Sequence, residues 1–185
     1  MIEKEEISSK LEKSDSNVDW DEIFSTITNK YSKEYAEKLV LSARLRYNFR
    51  TKNWKEYARL WDEAISKKIL APNEDTLAYS WELNISAWNT YLACDDTMVL
   101  KRALNWSNRS IDLVISMKNS PVEQYYDTKA RLLYKLGRIS EAIDYEQKAI
   151  DMGIIMAGGN KGMFYDDYKM VLQRMRNKES ISNLN

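Results

Sequence analysis

The chain has 185 residues, long enough for one domain with a sizeable core, and it balances 28 basic against 28 acidic side chains. That neutrality removes the electrostatic footprint of a nucleic-acid binder. The absence of histidine and the presence of one cysteine, Cys94, remove Ser-His and Cys-His relays, imidazole metal ligands, thiolate zinc sites and internal disulfides.

Only 5 Gly and 2 Pro interrupt a chain that is 44% hydrophobic, so long helices are expected rather than many short strands. No apolar run approaches the roughly 18 residues of a membrane span. Residues 1–17 are charged and Ser-rich and read as a flexible lead. They lack the apolar segment of a signal peptide, so the expectation is a cytoplasmic protein or a targeting segment outside this chain. One helical domain is expected over 18–176, with 177–185 fraying.

Asp19 reads as a helix N-cap with Glu22 completing a capping box, and the helix to about Asn29 would bury Trp20, Ile23, Phe24 and Ile27. A second helix, Lys33 to Arg50, places Tyr35, Leu39, Ala43 and Tyr47 at four-residue steps. Asn53, with Glu56 in the matching position, caps a third that carries Tyr57, Leu60, Trp61, Ala64 and Ile65. After a loop at Pro72-Asn73, a long helix from about Asp75 to Ala93 carries Leu77, Trp81, Ile85, Trp88 and Leu92, with Leu83 and Ala87 beside them. Cys94, at its end, reads as a small core residue. Asp95-Asp96-Thr97 stop that helix and cap the next, Met98 to about Met117.

Ser120, Pro121 and Glu123 give cap, first-turn proline and box partner for another helix. Gly137 closes it, and a partner helix is expected to end at Gly153. The Gly-rich run Met156–Gly162 follows no strand and lacks a Lys-Ser/Thr pair, so it reads as an interhelix loop rather than a phosphate cradle. A last helix, about Met163 to Arg176, presents Phe164, Tyr168, Val171, Leu172 and Met175 and suits a cap.

Three hairpins superpose. Ala43, Ala87 and Ala130 each begin an Ala-x-x-x-Tyr run ending at Tyr47, Tyr91 and Tyr134, at intervals of 44 and 43 residues. In the second helices Ala64-Ile65, Ser110-Ile111 and Ala149-Ile150 correspond, preceded seven residues earlier by Tyr57, Ala103 and Ala142. In the third hairpin, Tyr126, Ala130, Gly137, Ala142 and Ala149 stand at the conserved positions of a tetratricopeptide unit of roughly 34 residues. Leu133 replaces the family's usual Tyr, and the terminal Pro is missing. The resemblance implies an all-α, right-handed α-solenoid of about three tetratricopeptide-like hairpins with a flanking helix at each end.

The segments beginning at Trp81, Ala103, Tyr126 and Ala142 together are also similar to the helical C-terminal region of thioredoxin-family proteins of Bacteroidetes-type bacteria. That likeness covers about residues 20–175, with Asp127-Thr128 and Leu132–Gly137 its most specific pieces. It implies a helical partner-binding appendage in an extracytoplasmic setting. The Cys-x-x-Cys domain is absent and Cys94 does not replace it, so no redox activity carries over.

By tetratricopeptide analogy the first helix of each pair lines a concave groove. Arg44, Tyr47 and Asn48 would come from the first hairpin, Asn84, Trp88 and Tyr91 from the second, and Asp127, Arg131, Tyr134 and Lys135 from the third. Charge-assisted donors beside flat aromatics suit an extended peptide or its C-terminal carboxylate. The expected partner is therefore a protein or peptide, with no cofactor, metal, nucleic acid or membrane span. Two other readings are a bracing or homodimerising module, and a carboxylate enzyme built on Asp95, Asp96, Asp166 and Asp167, which would need a buried acid pair in a cleft.

Overall fold

A computed structural model describes residue 7 and residues 18–69, 77–117 and 121–182. Among these residues the chain is all-helical, with eight α-helices and no strand. It divides into two compact units, Met1–Pro72 and Asn73–Asn185.

The N-terminal unit holds α1 (Trp20–Lys30), α2 (Lys33–Arg50) and α3 (Trp54–Ser66). Each starts on a side-chain cap that satisfies an otherwise orphaned backbone N–H: Asp19 accepts from Glu22, Ser32 from Tyr35 and Asn53 from Glu56. The helices pack in sequence, α1 on α2 and α2 on α3. Ile23, Ile27, Ala36, Val40 and Ala43 form a buried cluster that also takes in Ile7. At Ile7, therefore, the expected lead is part of a core; the rest of 1–17 lies outside the described residues.

Burial on α2 differs from the expected face. Tyr35 is exposed and Leu39 and Tyr47 are half-buried, while Ala36, Val40, Leu41, Leu45 and Asn48 are enclosed with Ala43. A helix touched by neighbours on two sides buries more than one stripe, so a single four-residue ladder underestimates it. The turn into α3 closes with Lys52 at φ 57, its N–H on Phe49 O and that of Asn53 on Asn48 O. This is a Schellman closure with lysine where glycine is usual.

The C-terminal unit holds α4 (Leu77–Ala93), α5 (Thr97–Ser116), α6 (Glu123–Lys135), α7 (Ile139–Met156) and α8 (Tyr165–Arg176). Consecutive helices pack on one another, and α4 also packs on α6. Asp96 caps α5, accepting from Met98 and Val99. The start of α6 departs from expectation: its N-cap is Val122 without a side-chain bond, and Ser120 lies outside the described residues, as do Pro72, Asn73 and Asp75. Gly137, at φ 78, ends α6 in a Schellman closure, with its own N–H on Tyr134 O and Arg138 N–H on Leu133 O.

Gly153 does not end α7, which continues to Met156. The chain then folds back so tightly that a Cβ on Gly162 would stand 2.9 Å from the Gly153 carbonyl oxygen. The Gly-rich run is thus a close-packed interhelix turn.

The core of this unit contains Leu83, Trp106, Leu132 and Leu133, all essentially inaccessible, each contributing about 1.5–3 kcal/mol by leaving water. Ala87, Ala130, Ser110, Ala103, Ala142 and Ala149 are enclosed, as Ala43, Ala64 and Tyr57 are in the other unit. The repeated small positions therefore all lie at helix contacts. Cys94 is buried too, and burial pushes its thiol up. The fully buried aromatic of α6 is Tyr125, not Tyr126, and its hydroxyl pairs with Ser80 at 3.2 Å.

Residues 177–182 do not fray. Tyr91 donates its hydroxyl to Ile181 O at 3.3 Å, Tyr134 to Glu179 O at 2.7 Å, and Arg174 bonds Ser180 O at 3.1 Å. Ile181 is itself buried.

Candidate functional site

The apolar residues of α4 fall on two faces. Leu83 and Ala87 turn inward with Tyr79, Ser80, Asn84 and Tyr91, but Leu77, Trp81, Ile85 and Leu92 remain exposed. Trp81 keeps 43% and Ile85 38% of its surface accessible, which leaves a costly apolar stripe uncovered among the described residues of this unit. Trp81, Ile85 and Trp88 form one wall of a pocket of about 470 Å³. Phe164, Tyr168, Met170 and Val171, from α8 and its N-cap, form the opposite wall. Between them α6 presents Gln124, Asp127, Thr128 and Arg131, four residues repeating at helical spacing on one face.

Arg131 Nε donates to Asp127 Oδ1 at 2.8 Å, with only 6% and 10% of the two side chains exposed. The guanidinium carbon lies 5.0 Å from the Trp88 ring centroid, so the cation meets an aromatic ring as well as the carboxylate. Burial works against the Arg131 charge, and the adjacent Asp127 carboxylate more than offsets it.

Behind this pair lies Glu146 of α7, fully enclosed, with no donor among the described residues to either carboxyl oxygen. Burial and then the Asp127 charge push its pKa well above the ordinary 4.5. Burial raises the Asp127 carboxyl too, the Arg131 charge and hydrogen bond opposing that rise, so the three groups form one enclosed network. Burial, followed by the Asp127 and Glu123 charges, likewise raises the Tyr168 hydroxyl and keeps it neutral.

Of the groove residues read from the sequence, Asn84, Trp88, Asp127 and Arg131 meet at this pocket. Tyr91 is buried beside it, with its hydroxyl pushed up by burial. Lys135 lies on the far side of Tyr91, donating to its carbonyl at 2.7 Å and pairing with Asp95 at 2.7 Å. Tyr134 holds the C-terminal segment. In the other unit, Arg44 pairs with Glu56 at 2.9 Å, Tyr47 packs edge-on against Trp20, and Asn48 donates to Arg44 O within its own helix.

The three cations that suggested a carboxylate ligand, Arg44, Arg131 and Lys135, are thus all paired within the chain. The four aspartates of the enzyme reading are also scattered. Asp95 and Asp166 pair with Lys135 and Lys161, Asp96 caps α5, and only Asp167 reaches the pocket.

The buried acid pair that does exist, Asp127 with Glu146, was not singled out in the sequence. Its signal was present: Glu146 falls on the stripe of Ala142, Ala149 and Ile150, where a carboxyl group has no water to face. The contribution of α8 had no such signal, since nothing local says which elements its aromatics will oppose. Among the described residues no cluster of His, Cys, Asp and Glu could hold a metal ion, and no helix is long and apolar enough to cross a membrane.

Comparison with protein-family models, with curated proteins and with solved structures finds no match.

Proposed function

We propose that the chain is a tetratricopeptide-like interaction module whose C-terminal unit anchors a side chain of a protein or peptide partner. One observation carries this reading: the Trp81–Ile85–Trp88 stripe is left uncovered at the mouth of a concave site whose floor is an almost wholly enclosed ion pair. Binding sites combine apolar walls with a few fixed polar groups in this way.

The packing of α4 on α6, the first helices of successive hairpins, supports stacking of the solenoid kind, as does the enclosure of the repeated small residues. A role as the helical appendage of a thioredoxin-family protein remains a proposal resting on the sequence likeness alone.

The test is a peptide-display selection against the intact chain, with Ile85→Arg as the counter-target. Ile85 is exposed, so this change places a charged chain in the pocket without opening the core. Peptides that enrich on the natural protein and are lost on the folded variant support the reading. No enrichment, or enrichment indifferent to the change, removes it.

The acid pair gives the enzyme reading a specific observation, since a cleft with a buried acid pair was its requirement. A general acid must reach the proton it transfers, however. Glu146 is enclosed and does not line the pocket, and Asp127 is tied to Arg131. The arrangement favours a structural floor. Hydrolysis of a panel of aryl glycosides that Asp127→Asn abolishes would reverse that preference.

A further inference from the structure

Resting on the reading of this pocket as a peptide anchor, we propose that the side chain it selects is basic, a lysine or arginine of an extended segment. The argument starts from charge. Among the described residues Arg131 is the one cation lining the pocket, and its charge is already met by Asp127. The lysines nearest in sequence are engaged elsewhere: Lys129 lies over Tyr145, while Lys161 and Lys169 flank Tyr165, Lys161 also pairing with Asp166.

What remains is acidic. Asp167 lines the pocket, is exposed and has no ion pair among the described residues. Burial holds the Glu146 carboxyl well above the ordinary 4.5, which disfavours a charge there.

The walls point the same way. Trp81, Phe164 and Tyr168 line the space beside Trp88, whose ring already meets Arg131, and aromatic faces attract a cation while their bodies cover its methylene stem. An anionic side chain would meet Asp167 and the negative ring faces together. A neutral aliphatic chain would gain the apolar contacts but leave Asp167 without a counter-charge. A basic chain satisfies both.

The experiment follows the indole N–H signals of Trp81 and Trp88 in the intact protein. It titrates alanine host peptides carrying lysine, arginine, norleucine or glutamate at the centre. The expected result is that lysine or arginine peptides bind at least about tenfold more tightly than norleucine, with glutamate weakest. Asp167→Asn should weaken the basic peptides several-fold and leave norleucine unchanged.

Norleucine or glutamate binding as well as lysine would overturn this inference and leave the anchor reading standing. So would indifference of the basic peptides to Asp167→Asn. If no peptide moves either indole, both readings fall.

Discussion

Asp127 and Arg131 stand one helical turn apart on α6, joined at 2.8 Å, and together they form the floor of the pocket while almost wholly enclosed. An ion pair at i,i+4 on an exposed helix contributes a few tenths of a kcal/mol. Enclosed, the same pair becomes a liability if broken, because a lone buried charge has neither water nor a partner.

Arg131→Met is therefore expected to cost about 3–5 kcal/mol in urea unfolding, since it strands Asp127. The combined change Asp127→Leu, Arg131→Met, Glu146→Leu is expected to recover most of that loss, because apolar side chains of similar volume carry no desolvation penalty. A single variant no worse than the triple one would show that Asp127 is neutral. For this reason Arg131 is a poor probe of ligand binding, and Ile85 and Asp167 are better ones.

Glu146 predicts the pH dependence of stability. Its folded pKa lies above the ordinary 4.5, so folding favours the protonated form. The stability it contributes is fully present below about pH 4.5 and is lost as the pH rises through the folded value. Glu146→Gln keeps a neutral donor facing Asp127 and cannot ionise. Its melting temperature should exceed that of the natural protein by a margin that widens as the pH rises above about 4.5. Parallel curves would mean that Glu146 is already charged in the folded state.

Lys52 and Gly137 occupy the same αL position at the ends of α2 and α6, at φ 57 and 78. A lysine there bears Cβ strain that glycine avoids, partly offset by the greater freedom of glycine in the unfolded chain. Lys52→Gly should stabilise by roughly 0.5–1 kcal/mol and Gly137→Ala should destabilise by a similar amount, read from denaturant midpoints at constant m. A loss of stability in Lys52→Gly would show that the lysine side chain makes a contact worth more than the strain.

Tyr91 and Tyr134 hold residues 177–182 through hydroxyl bonds to the Ile181 and Glu179 carbonyls. Tyr91→Phe with Tyr134→Phe should cost about 1 kcal/mol per bond and speed amide exchange across that segment, measured by mass spectrometry. Unchanged exchange there, with the global fold intact, would assign the anchoring to burial of Ile181 alone.

Much of the framework was legible in the chain because it is local. Caps at Asp19, Asn53 and Asp96 act within a few residues, and the closure at Gly137 needs only a residue that tolerates positive φ. The small residues at Ala43, Ala87 and Ala130 could be read as contact points because a helix must put them on a definite face. Lys52 and Lys68 show the limit of such reading, since both close helices at positive φ without a glycine to announce it. Gly153 shows the reverse: a glycine expected to stop α7 sits inside it, and the tight approach belongs to Gly162.

The amino-acid order alone thus determined that this protein is helical, where most helices begin and end, and which small residues meet their neighbours. Those outcomes follow from hydrogen bonds and periodicities spanning a few residues. Only the tertiary structure decided that the Trp81–Ile85 stripe of α4 would stay uncovered, that α8 would close a pocket against it, and that the local Asp127–Arg131 pair would be enclosed as its floor. Each of these depends on which distant helix packs where, and neither side-chain charge nor apolarity encodes that locally.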